Sequence, residues 1–162
     1  MYSIGEIVVH KREGLAKIVG DKTMMDKKYF LLTLLRGNGE TIYVPFDSCD
    51  DIIRPVMSVE NADNILRLMK NLSFEFNINT KQRRDDFKKR IVSGNIEDIV
   101  YLVRQLHDFN NSSSLPEKLK FGQMDFYLLE KARDYLFDEL ALAYNIERSL
   151  IDNFIENRIS TL

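Results

Sequence analysis

The chain has 162 residues, 44% of them hydrophobic and 30% charged, enough for one medium domain or two small ones, each with its own core. Its 23 Lys+Arg against 25 Asp+Glu leave a formal charge of -2, so no bulk charge announces a polyionic partner and any electrostatic function must come from local patches. One cysteine, Cys49, and two distant histidines, His10 and His107, exclude an internal disulfide and the ligand set of a structural zinc.

Residues 4–9, 15–19, 29–35 and 41–44 are short runs rich in Ile, Val, Leu and Tyr. Arg12-Glu13-Gly14, Gly20-Asp21-Lys22 and Arg36-Gly37-Asn38-Gly39 separate them with turn residues. This pattern predicts a four- or five-stranded antiparallel meander, with Gly37-Asn38-Gly39 making a tight hairpin between the third and fourth strands. So small a sheet must close into a barrel or lean on another element. The run 41–45 ends in Pro45, which cannot donate to a ladder and so favours an edge. An edge can accept a strand from another protein, and an edge covered by its own chain fits the pattern equally well.

After Pro55 the apolar period becomes 3.6. Ser58 is placed to cap a helix whose face is Ala62, Ile65, Leu66 and Met69. Residues 73–78 read as a connection. A helix is predicted from Thr80 to about Val92, ended by Ser93-Gly94. Asn95 then caps another, with Ile96, Ile99, Val100, Val103 and Leu106 on one face and a polar Asn/Ser loop at 110–114. A long helix follows from Phe121 or Gly122 to Tyr144, striped with Leu129, Ala132, Leu136, Leu140 and Ala143. The last presents Leu150, Ile151, Phe154 and Ile155. The sequence therefore predicts an α+β protein of two domains, a β module over 1–55 and an all-α domain over 56–162.

Phosphate-loop, dinucleotide-binding, nucleophile-elbow and His-Glu-x-x-His patterns are all absent, so no enzyme, cofactor or metal is expected. His107 and Asp108 are neighbours on a helix, about 100° apart, and are not expected to orient one another. Asp50-Asp51 and Asp85-Asp86 read as solvated pairs, and Cys49 as a small hydrophobe. No apolar run reaches the roughly 18 residues that span a bilayer, and no secretory pattern opens the chain, so a cytoplasmic protein is expected.

One window stands out. Residues 81–90 hold six basic and two acidic side chains, a local net of +4. On a helix Lys81, Arg84 and Lys88 share a face, with Arg83 and Arg90 on a neighbouring one. Such a stripe suits phosphates, and a solvated helix face is the plainer reading of the same residues.

These residues resemble a known family. Ile4-Gly5-Glu6-Ile7-Val8-Val9-His10 followed by Gly14 resembles the opening of the bacterial CarD family, and Ile42-Tyr43-Val44-Pro45 is similar to the strand that closes its β module. Ile91-Val92-Ser93-Gly94-Asn95, then Val100-Tyr101-Leu102-Val103-Arg104-Gln105-Leu106, and Glu130-Lys131-Ala132-Arg133 through Ala143 resemble its helical elements in the same order. The resemblance implies a Tudor-like barrel that binds the RNA polymerase β subunit by an added edge strand, and a helical domain lying on promoter DNA. On that basis polymerase contacts are expected at Ile42, Tyr43 and Val44, flanked by Lys22 and Arg36. DNA contacts are expected at Thr80, Lys81, Arg83, Arg84, Lys88 and Lys89. Two departures bear on the DNA side. Thr80 stands where relatives carry a tryptophan wedge, with Phe76 as a nearby aromatic. The segment Gly122-Gln123-Met124-Asp125, where relatives carry Gly-Glu-Lys or Gly-Glu-Arg, has lost positive charge; Asp125 would repel phosphate if it faced DNA, and Lys118 and Lys120 are placed to compensate. The sequence leaves open a protein-only role for the helical domain, and a monomer or a domain-swapped dimer.

Overall fold

A computed structural model describes residues 1–162. The chain divides into two compact units, Met1–Met57 and Ser58–Leu162.

The first unit is a five-stranded antiparallel sheet: β1 (Ile7–His10), β2 (Gly14–Met24), β3 (Lys27–Leu34), β4 (Thr41–Pro45) and β5 (Ile53–Pro55), in the order β4-β3-β2-β1-β5. The alternation of the strands puts Val8, Ala16, Ile18, Phe30, Leu32, Val44 and Ile53 on one buried face. A 3-10 turn (Phe46–Ser48) and a short helix α1 (Cys49–Ile52) cross that face, bringing Phe46, Cys49 and Ile52 onto it. Phe46 stacks on Phe30 with centroids 4.0 Å apart.

Three expectations need correction. The ladder is not closed as a barrel, because β4 and β5 stand at opposite edges. The strand that would have to close it, β5, has only three residues and ends in proline, so side chains from the crossing segment seal the core instead. Gly20-Asp21-Lys22 is not a turn. It lies within β2, where a register shift between Ile18 and Gly20 accommodates one extra residue and the strand continues in register with Tyr29, Phe30 and Leu31. Nor is the β3–β4 connection tight: Thr33 pairs with Thr41, leaving a longer loop that Gly37 and Gly39 enter with φ of 98° and 70°.

The two-residue hairpin falls at Met25-Asp26, between Met24 and Lys27, which pair. Both residues have positive φ, 49° and 62°, as a type I′ turn demands. Aspartate tolerates that region, but methionine has no local bond to gain there and is held at a cost of about 1 kcal/mol.

The second unit is helical: α2 (Val59–Asn71), α3 (Thr80–Ser93), α4 (Ile96–Asn111), α5 (Gln123–Tyr144) and α6 (Ile151–Thr161). Ser58 Oγ caps α2 by accepting from Asn61 N, and Asn79 Oδ1 caps α3 by accepting from Gln82 N. Gly94, at φ 66°, ends α3 in the left-handed conformation. Most of the predicted stripes are buried, namely Ala62, Leu66 and Met69 on α2, Ile99, Val100, Val103 and Leu106 on α4, Leu129, Ala132, Leu136 and Leu140 on α5, and Ile151 and Ile155 on α6, while Ile65, Ile96, Ala143 and Phe154 are half-buried. Leu150 alone of the predicted set is exposed, in a 3-10 turn ahead of α6. Arg104 donates to the carbonyls of Met69 and Leu72, closing the C-terminal end of α2. Asp63 of α2 takes bonds from Tyr144 Oη and from both Nε and Nη2 of Arg158, tying α2 to α5 and α6. No helix is long and apolar enough to cross a membrane.

His10 locks the β1–β2 turn. Its Nδ1 accepts from the N–H groups of Arg12 and Glu13, at 3.2 and 3.1 Å, which the protonated ring cannot do. Burial, with help from Arg12 and against the pull of Glu13, holds its pKa below the ordinary 6.5. The unfolded chain then binds the proton more readily. The stability that His10 contributes is fully present above pH 6.5 and is lost as pH falls through its lower folded value. Urea midpoints measured from pH 7.5 to 5 should therefore fall for the wild type and fall less for His10→Ala.

Candidate nucleic-acid and partner interfaces

The basic stripe and the buried core of the helical unit share one residue. Arg83 points inward from the first turn of α3 and is 1% exposed, beside a fully buried Asp125. Its Nε donates to Asp125 Oδ1 and its Nη2 to Oδ2, each at 3.0 Å. Nη1 reaches the carbonyl of Asn77 at 3.0 Å and Nη2 that of Lys120 at 2.9 Å. The guanidinium also lies 4.9 Å from the centroid of Phe121. Asp125 Oδ2 accepts in addition from Gly122 N at 2.8 Å, across the N-terminus of α5, and meets Arg84 Nη2 at 3.5 Å. A Cβ on Gly122 would come within 2.9 Å of that same Arg84 nitrogen.

This corrects two sequence expectations. Arg83 is no phosphate ligand, because its donors are spent inside the protein. Asp125 presents no charge to DNA, because two guanidiniums neutralise it below the surface. Desolvation pushes its pKa up, but the bonds from Arg83 and Gly122 and the charges of Arg83 and Arg84 outweigh that and hold it below the ordinary 3.8.

The remaining cations divide. Arg90 is taken up by Asp86 at 2.9 Å and Asp98 at 2.7 Å and sits 3.7 Å over the Tyr101 ring. Arg84 is half-buried. Lys81, Lys88 and Lys89 are exposed, with Asp85 among them. The stripe that meets solvent is thus a net of +2 from these four residues, flanked by Arg84. Thr80 is exposed at the start of α3, directly after the cap. Phe76 is no free wedge, since it is half-buried against Phe74 and Phe121, at 5.1 and 6.1 Å between centroids. Phe121 is the centre of this aromatic group, stacking on Phe109 at 4.1 Å and meeting Phe87 and Phe126 edge-on. Lys118 and Lys120 are exposed, and the Lys120 carbonyl bond to Arg83 brings that residue to the start of α3.

In the β unit, β4 pairs with β3 alone. Val44 is buried and Ile42 packs on the core, so both offer a partner their backbone, whereas the Tyr43 side chain is 48% exposed. Lys22 is in register with Tyr29, which pairs with Pro45 at one end of β4. Arg36 lies in the loop before the other end, so the two cations bracket the strand. His107 and Asp108 also depart from expectation. Nδ1 of His107 lies 3.1 Å from Asp108 Oδ1, to which Arg104 Nε also donates at 2.9 Å. The side chains bend toward each other although their Cβ vectors diverge.

Removing Asp125 strands a buried guanidinium. Asp125→Ala should cost about 3–5 kcal/mol in urea denaturation. With its pKa lowered in the fold, the contribution of Asp125 is fully present above pH 3.8 and is lost as pH falls through the folded value. Asp125→Asn should remove that part of the acid slope.

A family model described as the CarD-like/TRCF RID domain matches residues 2–57, and one described as CarD, C-terminal domain, matches residues 64–156. The two matches fall one on each unit and together take in nearly the whole chain. The chain belongs to the CarD family of RNA polymerase-interacting proteins.

Proposed function

We propose that this protein is a transcription regulator that binds the β subunit of RNA polymerase through its first unit and promoter DNA through its second. The observation that carries the reading is the unpaired edge of β4, with Tyr43 exposed on it, inside a domain that matches the RNA polymerase-interacting model. A polymerase strand would add to that edge through the backbones of Ile42, Tyr43 and Val44. Lys22 and Arg36 would meet acidic groups beside it. The open sheet stands in for the Tudor-like barrel that the family resemblance implies.

On DNA, the exposed cations Lys81, Lys88 and Lys89, with Arg84 and Thr80 at the margin, would contact phosphates, which position the protein but specify no sequence. By binding the melted promoter better than the closed one, the protein would shift the population toward the open complex without chemistry. A second reading, in which the helical unit contacts protein only, is favoured by one feature: Arg83 and Arg90, two of the six cations in the window, are consumed in internal pairs.

Two measurements test these readings. Tyr43→Ala should weaken binding to cognate core polymerase by about tenfold, near 1.4 kcal/mol, and binding unchanged by it would remove the edge from the interface. The lifetime of open promoter complexes should lengthen with the wild type, and should shorten again with Lys81→Ala/Lys88→Ala/Lys89→Ala. The wild-type effect should shrink as salt rises. A salt-independent effect that the triple variant keeps would favour the protein-only reading. Arg83→Ala is the wrong probe, since it uncovers Asp125 and unfolds the site.

A further inference from the structure

Beyond the bulge at Val19, the β2–β3 ribbon projects from the sheet. β1 pairs with β2 at residues 14–17 and β4 pairs with β3 at residues 29–33. Residues 20–24 of β2 therefore have β3 as their only ladder partner, and Lys27 and Lys28 have only β2. At the tip stands Met25, 98% exposed and at φ 49°. A single exposed apolar side chain is ordinary. One placed where the backbone disfavours it is not, since asparagine or glycine would relieve the turn. The sequence keeps a residue that the ribbon itself has no use for, which points outside the ribbon.

The surroundings define what that partner looks like. Lys27 pairs with Met24 on one face of the ribbon and Lys28 with Thr23 on the other, with Lys22 following next to Tyr29. All three lysines are exposed, against Asp21 and Asp26 of opposite sign. A flexible thioether suits an irregular apolar pocket, and the lysine collar suits an acidic rim. The match to the RNA polymerase-interacting domain covers residues 2–57 and so includes the ribbon.

We infer that Met25 is an apolar anchor that inserts into a pocket of RNA polymerase, with Lys22, Lys27 and Lys28 set against acidic residues at its rim. This is a second contact, adjoining the β4 edge at Lys22, which is in register with Tyr29 and through it with Pro45, and it rests on the polymerase reading above.

The test uses the full chain and immobilised cognate core polymerase, with urea midpoints measured alongside. Met25→Asn should raise the Kd at least fivefold while leaving the midpoint equal to or above that of the wild type. Met25→Leu, which keeps the apolar side chain and the strained turn, should bind within about twofold of the wild type. Lys27→Glu/Lys28→Glu should weaken binding, and more so at low salt. Wild-type affinity in Met25→Asn overturns the anchor. So does weaker binding accompanied by a lower midpoint, which would make Met25 a structural residue of the turn. If Met25→Asn is silent while Tyr43→Ala loses affinity, the anchor falls and the edge contact stands. If the wild type does not bind polymerase at all, both readings fall together.

Discussion

The helical unit is organised around a charge taken out of water. A guanidinium as buried as Arg83 is tolerable only because a carboxylate and two carbonyls accept its hydrogen bonds. Those partners come from three separate places: the segment before α3, the loop before α5 and the first turn of α5. One side chain thus fixes where two helices begin and how both connecting segments run. The Phe121 ring packs against the same guanidinium, so the aromatic group and the ion pair hold each other in place. A geometry this demanding favours one arrangement of the chain, whatever its net worth in free energy.

The pair also shapes the surface. Sequestering Arg83 and Asp125 removes one charge of each sign from the outer face, and the Asp86–Arg90–Asp98 group ties up another cation. Three exposed lysines and a half-buried Arg84 remain. The phosphate contact proposed for this face would rest on long lysine side chains and on no fixed donor, which suits contacts that are strong in low salt and carry little sequence information. The β unit works differently. The contacts proposed for it would use the edge of β4, which pairs with β3 alone because the ladder is open, and a ribbon that the short β1 and β4 leave uncovered.

Periodicity made the helices legible, since a stripe such as Leu129, Ala132, Leu136 and Leu140 has one way to be buried. The caps at Ser58 and Gly94 were legible because they are local chemistry. The ribbon was not. Gly20-Asp21-Lys22 has the composition of a turn, yet pairing with β3 carries the strand through it. Met25-Asp26 has the conformation of a turn without glycine or asparagine to announce it. Here tertiary pairing overrode local preference. The basic window was legible as charge but not as function, because composition counts Arg83 and Lys88 alike although one is buried and the other exposed.

The sequence by itself determined the two classes of structure, their order along the chain and the family, since period 2, period 3.6 and short motifs are written in neighbouring residues. Only the tertiary structure decided which charges meet solvent, that the sheet has two free edges, and that Asp125 complements a buried arginine. Those depend on residues 42 positions apart in the chain, as Arg83 and Asp125 are, and a side chain's exposure is set by what the rest of the chain brings against it.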